Sequence, residues 1–163
     1  MTAEPLFSQK SGQQKMHVDK YQLKSEEEFT RFEFISEGPK GAMRKLIEFQ
    51  RTTNPDTHNL AFGDKHPVTG GLDDLDVSDN GDTEKILATV VAAVYAFLDS
   101  HPTAYVYAQG STKVRTRLYR MGINRFYKDM QRDFHLYGRV GEDFVDFEPD
   151  VEYDGFLAQR KFS

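Results

Sequence analysis

An α+β fold follows from the way apolar residues are spaced along this chain of 163 residues. They alternate in short runs through the first half, which is the period of a half-buried strand. A single broad apolar stripe then runs from Ile86 to Leu98 at helical spacing. Alternating runs return after Phe134. The expected architecture is an antiparallel β-sheet with helices packed on one face. Its order is about four strands, a helix, a strand, a basic helix pair and two to three C-terminal strands.

Residues 1–16 are polar and read as a flexible arm, with one α+β domain over 17–163. Phe32 to Ser36 and Met43 to Phe49 form a hairpin about Gly38-Pro39-Lys40-Gly41, where Pro39 sets the turn and a glycine can take positive φ. Asn59 to Gly63 is a third strand that buries Leu60 and Phe62, and Leu75 with Val77 marks a short fourth. Asp82 caps the central helix, which ends before His101-Pro102. Ala104 to Ala108 is the next strand, and the basic helix starts near Ser111. Gly122 and Asn124 suggest a break, followed by a second helix from Arg125 to about Asp133. Phe134 to Val140 and Phe144 to Phe147 form a late hairpin, and the tail from Tyr153 adds a last strand.

Composition narrows the chemistry. There is no cysteine, so disulfides, thiolate nucleophiles and thiolate metal sites are excluded. Apolar residues make up 38% and aromatic residues 13%, enough for a packed core. The longest apolar run is too short to cross a bilayer, no membrane partner is expected, and a cytoplasmic protein is the reading. The net charge of −5 argues against nucleic-acid affinity over the whole surface, but the charge is uneven. Lys113, Arg115, Arg117, Arg120, Arg125, Lys128 and Arg132 stand against Asp129 alone between Ser111 and Arg132.

Ahead of that basic helix lies Gly110-Ser111-Thr112. A helix start with a glycine turn and a hydroxyl cap presents unpaired N–H groups to an anion. The candidate anion-binding residues are Gly110, Ser111, Thr112, Arg115, Arg117 and Tyr119. Helical spacing puts Lys113, Arg117 and Arg120 on one stripe, with Val114, Leu118 and Met121 beside it facing the core. Arg115 lies apart, near the helix mouth. The competing interpretation is a solvated basic face, or pairing with the acidic runs from Asp73 to Glu84 and Glu142 to Asp154. Tyr105, Tyr107 and Tyr119 could stack bases of single-stranded RNA, although strand tyrosines more commonly serve cross-strand packing.

Other signatures fail. The full phosphate-loop spacing is missing, and Gly110-Ser111 lacks the second glycine of a nucleophile elbow. Asp76 to Gly81 resembles half a calcium loop, but the twelfth position is Leu87, and a turn followed by a helix cap accounts for it. No metal site and no cofactor are expected. His58 and His66 flank a strand and could face each other; no other histidine pairing suggests catalysis.

Taken together, Gly38-Pro39-Lys40-Gly41, Asn59-Leu-Ala-Phe-Gly-Asp64, Asn80-Gly81-Asp82 and Gly110-Ser-Thr-Lys-Val-Arg-Thr-Arg-Leu-Tyr-Arg-Met121 resemble a family of small uncharacterised Bacteroidetes proteins, a domain of unknown function. The resemblance runs from about Tyr21 onward and includes Tyr153 to Lys161. It implies a bacterial intracellular origin and supplies no catalytic residues. The function expected is a non-catalytic domain that interacts with an anion or nucleic acid through the Gly-Ser-Thr turn and basic helix. Its partner would be a phosphate-containing ligand or RNA, with a protein partner or homo-oligomer as a further expectation. The alternative is a small ribonuclease of the toxin type, in which arginines stabilise the transition state and a His or Tyr is the acid/base.

Overall fold

A computed structural model describes residues 19–26, 28–73 and 80–162. The N-terminal arm and the fourth strand expected at Leu75 and Val77 lie outside the described residues. The strands are β1 (Lys24–Glu26), β2 (Arg31–Gly38), β3 (Gly41–Arg51), β4 (Thr57–Lys65), β5 (Leu72–Asp73), β6 (Tyr105–Ala108), β7 (Phe134–Val140), β8 (Asp143–Asp146) and β9 (Gly155–Arg160). The helices are α1 (Thr83–Ser100), α2 (Lys113–Arg125) and α3 (Tyr127–Asp133).

The strands form one open, mostly antiparallel sheet in the order β1-β2-β3-β4-β6-β9-β7-β8, with β5 paired to β4. The β4–β6 pair is parallel. Parallel neighbours need a crossover, and α1 supplies it. β9 does not close the sheet at an edge. It inserts between β6 and β7, so the last strand in sequence lies in the middle of the second half.

Register places Phe32 opposite Ile47 and Ile47 opposite Phe62. The same face continues through Leu60, Ala108 and Phe156. These side chains are buried, and α1 lies over them with a buried run from Ile86 to Leu98. Phe49 stacks on Phe97 with ring centroids 4.4 Å apart. Thus the expected layering, helices on one face of the sheet, is what forms. None of the described helices is long and apolar enough to cross a membrane.

Three features of α1 and α2 differ from expectation. Asp82 stands at the N-cap of α1, but its side chain makes no capping bond. Its Oδ2 instead accepts from Tyr21 Oη and from Ser36 Oγ, the latter at 2.6 Å, because β2 passes within reach. Next to it, buried Asn80 accepts from the Lys40 amide at 2.8 Å and donates to the Gly41 carbonyl at 2.9 Å. The Gly38–Gly41 turn and the start of α1 therefore brace one another. Gly81 adopts φ 74°, a conformation that favours glycine.

Helix α2 does not break at Gly122. It runs through to Arg125, and the chain turns at Phe126 before α3. Of the stripe Val114, Leu118, Met121, only Leu118 packs against the core, partly buried. Val114 is 73% exposed and Met121 42%, whereas Arg115, Tyr119, Gly122 and Ile123 are buried. The helix is turned so that a small residue meets α1: Gly122 lies where a Cβ would touch Leu87 at 3.4 Å.

Candidate anion-binding site

The strand β6 ends at Ala108, and Gln109 to Thr112 form the turn that enters α2. Thr112 is the N-cap: its extended backbone lets the hydroxyl accept from the Arg115 amide at 3.2 Å. The Gly110 amide donates to the Thr116 hydroxyl at 3.0 Å, which folds the turn back onto the helix. Glycine is required here by proximity, since a side chain at this position would overlap Arg115 Cβ and the Thr116 amide. The first amides of α2, at Lys113 and Val114, belong to the turn of a helix that has no internal acceptors.

This turn forms one wall of a cleft of about 740 Å³. Lys113, Thr116, Arg117 and Arg120 line it from α2, and Arg139 and Val140 at the end of β7 close it with Gly141 of the β7–β8 turn. Glu152, Tyr153 and Asp154 complete the far side. Arg139 is held in place from two directions. Its Nε donates to the Gly141 carbonyl at 2.7 Å, and its Nη1 donates to Tyr107 Oη at 3.0 Å and Gln109 Oε1 at 3.2 Å. The hydrogen bond that Tyr107 accepts raises the Arg139 pKa further, although the guanidinium is cationic at neutral pH without it.

Four cations thus face two carboxylates in the cleft. Glu152 lies 4.0 Å from Arg120 but is 90% exposed, so this contact is weak and screened. Asp154 Oδ2 accepts from the Gly141 amide at 3.1 Å, which ties it to the turn. Among the described residues no ion pair engages Lys113 or Arg117. An anion entering the cleft would meet two cations that no described carboxylate pairs, two positioned arginines and the positive end of α2.

Of the six residues expected from sequence to form the site, Gly110, Ser111, Thr112 and Arg117 line this cleft. Arg115 and Tyr119 do not. Arg115 is 4% exposed, and its Nη1 donates to the Phe62 carbonyl. Its guanidinium sits 5.8 Å from the Phe62 ring centroid. Tyr119 is buried and lines a second cleft, on the other side of the Gly110–Ser111 turn, with Gln50, Asn59 and Gln109. The stripe Lys113, Arg117, Arg120, separated from Arg115 on the helix wheel, is the one that faces the cleft.

Arg139 and Gln109 have no local motif, and sequence reasoning missed them. Arg139 reaches the cleft only because β7 pairs with β9, which in turn pairs with β6.

Among the described residues no histidine lines the cleft. His58 and His66 stand at opposite ends of β4 and do not face each other. His58 meets His101 instead, with ring centroids 6.3 Å apart. Nor is there, among the described residues, a cluster of three acidic or histidine side chains that could hold a metal ion.

Residues 17–161 match the family described as "Family of unknown function (DUF6934)". The chain belongs to this family. The DUF6934 match takes in every described strand and helix, and so includes both walls of the cleft. No curated protein and no solved structure matches this DUF6934 member.

Proposed function

We propose that the cleft at the start of α2 binds the phosphate group of an anionic ligand, without catalysing a reaction. The observation that carries this reading is the convergence of Lys113, Arg117 and Arg120 from α2 with Arg139 from β7 around the Gly110–Thr112 turn. A bacterial cytoplasm, which the sequence resemblance implies, is rich in such ligands.

Inorganic pyrophosphate titrated into the protein by calorimetry at low ionic strength tests the reading. Binding should weaken as salt rises, because the exposed cations are screened over roughly 10 Å at 0.1 M ionic strength. The double variant Lys113→Glu/Arg117→Glu should abolish it. No heat of binding at low salt, or full binding by the double variant, refutes the reading.

A further inference from the structure

We infer that the phosphates held in the cleft belong to single-stranded nucleic acid, whose bases lie on the tyrosines of the sheet face that no described helix covers. This inference rests on the phosphate reading of the cleft and extends it across the neighbouring surface.

In β6 the side chains of Val106 and Ala108 are buried beneath the helices, so Tyr105 and Tyr107 project from the opposite face. Both are half-buried, with no described helix over them. Register carries the same face across the sheet. Tyr107 is opposite Leu157, and Leu157 is opposite Tyr137. Tyr105 is opposite Gln159, which is opposite His135. Phe144 meets Tyr107 edge-on, with centroids 6.0 Å apart, and is itself 45% exposed.

Strand spacing of about 4.8 Å puts Tyr107 and Tyr137 roughly 10 Å apart, and Tyr105 lies about 7 Å along the strand from Tyr107. Separate rings at these spacings can each take one splayed base. The residues flanking Tyr105 and Tyr107 are uncharged and include amides, with Asn59 beside Tyr107, Thr57 and Gln159 beside Tyr105 and Gln109 at the strand end, whereas Tyr137 has Asp146 opposite it on β8. Amides can donate to and accept from base edges.

What distinguishes this surface from ordinary cross-strand packing is its connection to the cleft. Tyr107 Oη donates to Gln109 Oε1 at 2.6 Å, and Arg139 Nη1 donates to both residues. Arg139 and Gln109 also line the cation-rich cleft. An aromatic platform, uncharged around Tyr105 and Tyr107, therefore runs into a group of cations. Single-stranded nucleic acid has the complementary arrangement, neutral π-faces joined to an anionic backbone. A duplex hides its base faces and matches only the cations.

The test uses the full chain with a short fluorescein-labelled oligouridylate in fluorescence polarisation, beside pyrophosphate calorimetry. Single strand should bind more tightly than a duplex of equal length. Tyr105→Ala and Tyr137→Ala should each weaken oligonucleotide binding roughly tenfold while pyrophosphate binding stays unchanged. Tyr105→Phe and Tyr137→Phe, which keep the ring, should restore it. Equal affinity for duplex, or alanine variants that bind oligouridylate like the parent, overturns the inference and leaves the phosphate reading standing. So does self-association of the chain that Tyr137→Ala abolishes, if the oligonucleotide does not bind. If pyrophosphate itself fails to bind, or Lys113→Glu/Arg117→Glu binds it fully, the phosphate reading falls and takes this inference with it.

Discussion

The guanidinium of Arg115 donates to the main-chain carbonyl of Phe62, so a charged side chain from α2 completes the hydrogen bonding of β4 inside the core. Cation–π contact with the Phe62 ring adds to the same attachment.

Arg115 should accordingly act on stability and not on ligand. Arg115→Ala is expected to cost about 2–4 kcal/mol, the range for losing a buried, charge-assisted bond and its packing. Its pyrophosphate affinity should remain near that of the parent. Lys113→Ala should do the reverse, with an unchanged melting temperature and weaker binding. Thermal melts and calorimetry on the two variants decide it. Lost binding in Arg115→Ala at an unchanged melting temperature would return that arginine to the site.

Helix α1 should carry the fold. Val90 and Val94 are buried between α1 and the sheet. A carboxylate there would be stranded without a partner, at a cost comparable to the roughly 5–15 kcal/mol that stabilises a whole domain. Val90→Asp and Val94→Asp should each yield unfolded or insoluble protein. Circular dichroism of a soluble variant with parental helicity would contradict the layering.

Gly110, in the turn before α2, and Gly122, within the helix, should respond oppositely to alanine. At Gly110 an added Cβ overlaps Arg115 and the Thr116 backbone, so Gly110→Ala should cost about 1–3 kcal/mol and weaken pyrophosphate binding by displacing the turn. At Gly122 the added Cβ reaches Leu87 only at ordinary contact distance. Gly122→Ala should raise stability by about 0.5–1 kcal/mol, the helix-propensity difference. Denaturant midpoints shifting in the same direction would defeat the contrast.

Stability should fall as the solution is acidified, in part through His58. Burial, then the charges of His101 and Arg51, lowers its pKa from the usual 6.5. Its Nδ1 is buried with no hydrogen-bond partner among the described residues. The unfolded chain then binds the proton more readily than the folded one. The stabilising contribution is complete above about pH 6.5 and is lost as the pH drops toward the folded-state value. His58→Leu should flatten the decline in melting temperature between neutral pH and about pH 5; an identical slope in both proteins would remove His58 from the account.

Local patterns made much of the fold legible. The apolar stripe from Ile86 to Leu98 specifies a buried helix because every turn of it is apolar, whatever it packs against. Alternation at Phe32/Phe34 and Ile47/Phe49 specifies strands with one buried face, since side chains change sides at each residue. Gly110, Ser111 and Thr112 announce a helix start in the same way, through chemistry confined to a few neighbouring residues.

Tertiary structure decided the rest. Helix α2 carries apolar residues on more than one side, so its sequence is compatible with several rotations about its axis. The close approach at Gly110, the contact of Gly122 with α1 and the bond from Arg115 to Phe62 select one of them. That rotation takes Arg115 into the core and turns Lys113, Arg117 and Arg120 toward the cleft. The opposite wall depends on β9 pairing with both β6 and β7, partners separated from it by long stretches of chain. Alternation states that a strand exists but not which strand it will join. The placement of Arg139 beside Tyr107, and with it the junction between cleft and tyrosine face, was therefore settled only when the chain closed on itself.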